Sequence, residues 1–127
     1  MQLVFNWHIT EKCNYSCHYC FSKWENNREI WHDEKTSKKL IYEIASYNHA
    51  LRFPMFTSAT RLNFAGGEPL LAGAKLIGYV RFAKEKGIET SLITNGFLLT
   101  KNIEVVDSLD MLGISIDSFD KDTNFRI

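Results

Sequence analysis

Arg61-Leu62-Asn63-Phe64-Ala65-Gly66-Gly67-Glu68-Pro69 is the stretch that decides the fold. Arg61–Ala65 reads as a short strand, and by alternation Arg61 and Asn63 share one face. The strand runs without a spacer into two glycines, a carboxylate and a proline. A helical pattern follows over 73–86, with Leu76, Ile77, Val80 and Ala83 on its inner face and Gly87 as its stop. Strand, glycine turn and helix make one βα unit.

Working outward, the same unit recurs. Residues 3–9 are apolar and β-prone and predict a buried strand. It opens into Cys13-Asn14-Tyr15-Ser16-Cys17-His18-Tyr19-Cys20. Residues 21–32 are polar and aromatic, with a turn signal at Asn26-Asn27. Asp33 is an N-cap candidate. Leu40, Ile44, Tyr47 and Leu51 then recur at helical spacing and predict a helix over 34–48. Residues 49–59, with Pro54, read as a loop. Beyond Gly87, Glu89–Ile93 predicts a third strand ending in Thr94-Asn95-Gly96. Thr100 is placed to cap a helix through Leu109. Met111–Ile116 predicts a fourth strand ending in Asp117-Ser118.

The order βαβαβαβ predicts an α/β fold, a parallel sheet with helices outside and right-handed crossovers. Short strands with polar C-terminal ends point to a partial (β/α) barrel. A complete eight-unit barrel takes about 250 residues, roughly 31 per unit, so 127 residues hold about four units. The sequence stops at Ile127 just after strand four, with no closing helix and an unpaired edge. We read 1–127 as a single domain and as a piece of a longer barrel.

Composition is that of a globular domain, 45% hydrophobic and 24% charged. Fifteen basic residues balance fifteen acidic ones, so net charge gives no argument for nucleic-acid or membrane binding. No apolar run approaches the roughly 20 residues of a membrane span. The N-terminus has neither the basic nor the long apolar region of a signal peptide. All three cysteines lie within eight residues. An odd, clustered set suits a metal in a reducing compartment better than disulfides. We therefore expect a cytoplasmic protein.

Polar strand ends are where parallel α/β folds bind ligands. The C-x3-C-x2-C spacing reads as a metal site, for zinc or an iron–sulfur cluster. Zinc would need His8 or His18 as a fourth ligand, and no second C-x2-C knuckle exists. Three cysteines on a cubane leave one iron open. Merely buried thiols are the bland alternative. Gly66-Gly67 lets backbone approach a ligand and Glu68 can accept from it, although a tight turn before a helix looks the same. Thr94-Asn95-Gly96 reads equally as a turn, and Asp117-Ser118 equally as an N-cap. Asn6 and His8 share one face of strand one, as core polar groups with partners or as the lining of a barrel interior. Arg61 is either a solvated strand-start charge or a phosphate contact. Trp24 and Trp31 read as packing residues.

The cysteine spacing after strand one, Tyr19 before the third cysteine, and Gly66-Gly67-Glu68-Pro69 after strand two resemble the radical S-adenosylmethionine superfamily. A closer resemblance, to its viperin family of antiviral enzymes, runs through Asn6-Trp7-His8-Ile9-Thr10-Glu11-Lys12-Cys13-Asn14-Tyr15-Ser16-Cys17-His18-Tyr19-Cys20-Phe21. It continues through Asn63–Pro69, Thr94-Asn95-Gly96 and Ser115-Ile116-Asp117-Ser118-Phe119-Asp120, covering nearly the whole chain in order. The resemblance implies a [4Fe-4S] cluster on Cys13, Cys17 and Cys20, with S-adenosylmethionine chelated at the open iron. It implies cofactor contacts from Tyr19, Gly66, Gly67, Glu68, Thr94, Asn95 and Ser118. Asn6, His8, Arg61 and Asn63 would line the substrate site, Arg61 standing where the family has a lysine. The implied reaction uses a 5′-deoxyadenosyl radical to dehydrate a nucleoside triphosphate to its 3′-deoxy-3′,4′-didehydro form, a chain terminator. Implied partners are that nucleotide and an electron donor such as flavodoxin or ferredoxin, with no direct nucleic-acid or membrane contact. Ala65 departs from a family serine, and we expect no counterpart of the family's amphipathic N-terminal helix. The rival expectations are another member of the superfamily, acting on a peptide, tRNA or small metabolite, and a non-catalytic metal-binding module or inactive fragment. The Asn6/His8 pair argues against the first.

Overall fold

The structure, a computed structural model, describes residues 2–20, 29–50 and 60–124. Four strands, β1 (Val4–Thr10), β2 (Arg61–Gly66), β3 (Glu89–Thr94) and β4 (Met111–Ile114), form one sheet in the order β1-β2-β3-β4. All three pairings are parallel. Among the described residues, four α-helices follow the strands: α1 (Glu34–Ala50), α2 (Ala74–Glu85), α3 (Ile103–Ser108) and the short α4 (Lys121–Asn124). Trp24, the turn at Asn26-Asn27, Leu51 and the Pro54 loop lie outside the described residues.

The helices cover one face of the sheet. Trp7, Ile9, Leu62, Phe64 and Leu92 project into a single core with Ile41 and Ile44 of α1, Leu76, Tyr79, Val80 and Ala83 of α2, and Val105 of α3. The Trp7 ring lies 5.7 Å from Phe64 and 5.6 Å from Tyr79, centroid to centroid. Tyr79 takes the inner position expected of Ile77, which is only half-buried. A doubly wound sheet has helices on both faces; coverage of one face is the barrel arrangement.

The other face follows from the period of two. The registers Val4↔Arg61↔Glu89, Asn6↔Asn63↔Ser91↔Met111 and His8↔Ala65 put polar residues in adjacent rows. A one-residue irregularity in β1 between His8 and Thr10 comes just before the cysteine loop. Such bulges bend a strand and re-aim its exit.

The helix ends follow local chemistry, with two departures. Asp33 caps α1 as expected, its carboxylate accepting from Lys35 N–H at 3.1 Å. Thr100 does not cap α3. A 3-10 turn over Leu99–Asn102 intervenes, and Asn102, at the cap position, spends its amide on the Leu98 carbonyl at 3.0 Å. β4 ends at Ile114 rather than Ile116. The carboxylate that accepts from Thr123 N–H and hydroxyl at the next helix start belongs to Asp120, not to the Asp117-Ser118 pair.

Candidate active site at the strand ends

The exits of all four strands meet around the cysteine loop, and the Gly66-Gly67-Glu68 turn is the fastener. Gly67 N–H donates to the Thr10 carbonyl and Glu68 N–H to the Lys12 carbonyl, both at 2.8 Å. A Cβ on Gly66 would stand 2.2 Å from Thr10 O, and one on Gly67 would stand 2.3 Å from Lys12 O. Gly66 also has φ +133°. The backbone these glycines admit is the protein's own, the chain leading into Cys13.

Glu68 is fully buried. Its carboxylate accepts from Leu70 N–H at 3.0 Å, the Thr94 hydroxyl at 2.8 and 2.9 Å, and Asn95 N–H at 2.9 Å. This ties the exit of β2 to that of β3. Thr94 is 2% exposed and serves the same bracket. Asn95 extends it to the cysteine loop, its side-chain amide donating to Asn14 Oδ1 at 2.9 Å and reaching Cys13 Sγ at 3.7 Å. Cys13 Sγ also accepts from Tyr15 N–H at 3.4 Å.

All three cysteines carry thiols, Cys13 and Cys20 exposed and Cys17 half-buried. Cys20 N–H closes a turn onto the Cys17 carbonyl at 3.1 Å. Among the described residues, no three His, Cys, Asp or Glu side chains gather around one point as a single metal ion requires. Tyr19 bridges the loop to the exit of β4. A hydrogen bond with Asp117, then partial loss of water, then a hydrogen bond with Cys17 push its phenol above the usual range.

Between the loop and the exits of β3 and β4 lies a cavity of about 560 Å³. Cys17, Asn95 and Ser118 line it, with Asn14, Ser115 and Asp117. Of the expected cofactor contacts, Asn95 and Ser118 face this cavity. Tyr19 touches its rim through Asp117. Gly66, Gly67, Glu68 and Thr94 sit behind it as the frame.

The four expected substrate residues lie on the polar face of the sheet. Asn63 Nδ2 donates to Asn6 Oδ1 at 2.8 Å, and Ser91 Oγ donates to Asn63 Oδ1 at 2.9 Å. His8 follows Asn6 on the same face, nearer the cysteines. Arg61 stands at the opposite end of β2, about 16 Å from Gly66 at the rise of a strand. Its guanidinium pairs with Glu89 at 3.1 Å, and Glu89 also accepts from the Gln2 side chain at 2.6 Å. Arg61 Nη1 contacts Met111 Sδ at 3.6 Å, and Nε is buried with no hydrogen-bond partner among the described residues.

Sequence reasoning missed Ser91, Glu89 and Asn14. Alternation along β3 could have found the first two, since Glu89 and Ser91 repeat on β3 the spacing of Arg61 and Asn63 on β2. Asn14 had no comparable signal, because its partner Asn95 is 81 residues away.

A model of the radical SAM superfamily matches residues 7–127. Among curated proteins, the chain is similar to an S-adenosylmethionine-dependent nucleotide dehydratase of Fibrobacter sp. (strain UWH6). Identity is 43% over 125 residues, covering 98% of this chain and 37% of that protein. A protein of the same name from Pseudoalteromonas ulvae is 41% identical over 127 residues, covering 94% of this chain and 41% of its own length. The nucleotide dehydratase RSAD2 of the fish Siniperca chuatsi is 36% identical over 125 residues, 94% of this chain and 32% of its own. The chain thus spans about two fifths or less of the length of these relatives. The match runs from Trp7 through the cysteine loop, the glycine turn and all four strand exits just described, and on that ground the chain belongs to the radical SAM superfamily.

Proposed function

We propose that this chain forms part of a radical S-adenosylmethionine enzyme that dehydrates a nucleoside triphosphate to its 3′-deoxy-3′,4′-didehydro form. The observation that carries the reading is the placement of one polar wall beneath the cysteine loop: His8, then Asn6 with Asn63, then Arg61, running from the thiols to the far end of the sheet. The names of the relatives, which match over 94–98% of this chain, support the same substrate class.

The donor set fits a [4Fe-4S] cluster. Three thiols lie on one loop beside a polar cavity, and thiolates suit iron–sulfur ligation. Cys13, Cys17 and Cys20 would hold the cluster, leaving one iron without a protein ligand. When bound, the reduced cluster and S-adenosylmethionine supply a one-electron cleavage whose carbon radical abstracts hydrogen.

The chain's own residues do the rest. Asn95 and Ser118 offer polar groups to a cofactor in the cavity, and Tyr19 holds the loop against Asp117. Gly66, Gly67, Glu68 and Thr94 fix the frame on which those contacts stand. Asn63, buried and held by Ser91 and Asn6, gives the wall a fixed polar pattern against which hydroxyls of a sugar can be ordered. Arg61 stands at the far end of the wall, its guanidinium paired with Glu89, as the candidate contact for a phosphate. The electron would come from a small donor such as flavodoxin or ferredoxin, in a cytoplasm that keeps the thiols reduced. No helix among the described residues is long and apolar enough to cross a membrane.

A second reading rests on the Arg61–Glu89 pair, which leaves little net charge at the far end of the wall. It favours a less anionic substrate, such as a small metabolite. One assay separates the two. The reduced protein is incubated anaerobically with S-adenosylmethionine and each nucleoside triphosphate. The proposal predicts 5′-deoxyadenosine together with a nucleotide lighter by one water. Formation of 5′-deoxyadenosine with no dehydrated nucleotide would overturn it.

A further inference from the structure

Glu29 comes just before the 3-10 turn Ile30–His32, at the position from which a side chain can cap the turn. It makes no such cap. Its carboxylate instead joins segments 18 and 19 residues apart. One oxygen accepts from the Thr10 hydroxyl at 2.8 Å and from Glu11 N–H at 3.0 Å. The other accepts from the Trp31 indole N–H at 2.9 Å and meets His32 Nε2 at 3.2 Å. Burial works to raise the carboxyl's pKa. Hydrogen bonds from Glu11, Thr10, Trp31 and His32 outweigh burial and hold it at about 2.

Thr10 is 1% exposed and carries the grip forward. The hydroxyl that donates to Glu29 accepts from Lys12 N–H at 3.2 Å. On the opposite side, the carbonyls of Thr10 and Lys12 accept from Gly67 and Glu68. Residues 10–12 are therefore clamped from both sides, and the next residue is Cys13. Glu11 N–H and Lys12 N–H, which would otherwise need water, are both satisfied by this arrangement.

We infer that Glu29 is a positioning residue for the cysteine loop, fixing the backbone that enters Cys13 and so the direction in which that thiolate meets iron. Partners one step removed from the ligands orient a metal site and tune it. The inference rests on the superfamily assignment and is independent of the nucleotide reading. A purely structural role, tying the 3-10 turn to β1, would use all four hydrogen bonds alike. A positioning role depends on the two that face Thr10 and Glu11.

The test uses the protein reconstituted anaerobically with iron and sulfide, as the parent and as E29Q, T10V and W31F. Glutamine offers one accepting oxygen in place of two. Positioning predicts that E29Q and T10V lose iron to a chelator about 10-fold faster than the parent and change the electron paramagnetic resonance spectrum of the reduced cluster. W31F, which removes a donor on the far oxygen, leaves both readouts at parent values. The inference is overturned if E29Q and T10V keep parent iron retention and spectrum, or if W31F alters them as much as T10V does. Should E29Q fail to fold, T10V against W31F decides alone.

Discussion

Glu68→Gln is the most informative single change. The parent carboxylate is fully buried and accepts from three donors, Leu70 N–H, the Thr94 hydroxyl and Asn95 N–H. Glutamine turns one oxygen into an NH2. If it faces Leu70, that N–H loses its acceptor; if it faces Asn95, the same happens there. In either orientation one buried donor is orphaned and a second donor is set against it. An orphaned buried group costs about 1–3 kcal/mol, and a bond to a charged acceptor is worth about 1.5–3 kcal/mol. The expected loss is therefore about 2–4 kcal/mol. For a domain of this size that corresponds to a fall in Tm of roughly 6–15 °C. Urea denaturation followed by tryptophan fluorescence measures the first figure and calorimetry the second. Thr94→Val, which removes one donor, should cost about half as much. The opposite picture has Glu68 as mainly a cofactor contact. There E68Q would keep parent stability and lose only S-adenosylmethionine affinity. A loss below about 1 kcal/mol would refute the bracket argument.

Further outcomes follow from the same geometry. Gly67→Ala places a methyl 2.3 Å from the Lys12 carbonyl and should cost at least about 2–3 kcal/mol together with the cysteine-loop geometry. Gly78→Ala, inside α2 with open space around it, should instead gain about 0.5–1 kcal/mol; paired chemical denaturation curves compare the two. Glu29 has a folded-state pKa near 2, below its unfolded value near 4.5. Its contribution is thus fully present above pH 4.5 and lost as pH falls toward 2. E29Q should flatten the stability–pH profile across that window, and a profile parallel to the parent's would contradict it. Glu89→Gln releases Arg61 from its ion pair, and since the pair is partly exposed the effect is modest. Pyrophosphate and nucleoside triphosphate should bind about 2–5-fold tighter by calorimetry, and R61Q should weaken them.

The alternation of strand and helix, and hence a parallel α/β sheet, is legible in the sequence because periods of 2 and 3.6 are written in local residue order. The same holds for Asp33, whose capping contact is two residues away. The expectation for Thr100 failed because the 3-10 turn before α3 was not resolvable from spacing alone. The cysteine loop and the glycine turn were conspicuous for the same local reason: three thiols in eight residues, and two glycines at a strand end.

Tertiary structure decided what those features do. The glycines read as room for a ligand or as a tight turn, and the backbone of Thr10–Lys12 lies where a Cβ on either would stand. Glu68 read either as an acceptor for a ligand or as part of a tight turn, and its carboxylate is buried between the exits of β2 and β3. Arg61 read as a solvated strand-start charge or a phosphate contact, and Glu89, aligned with it by strand register, pairs with it. Glu29 carried no signal, because its meaning lies in residues 18 and 19 positions away. Sequence order fixed which residues could belong to one site, since motifs and periodicities are local. Which of them line the cavity at the strand ends and which stand behind it depends on strand register and burial, which pair groups distant along the chain.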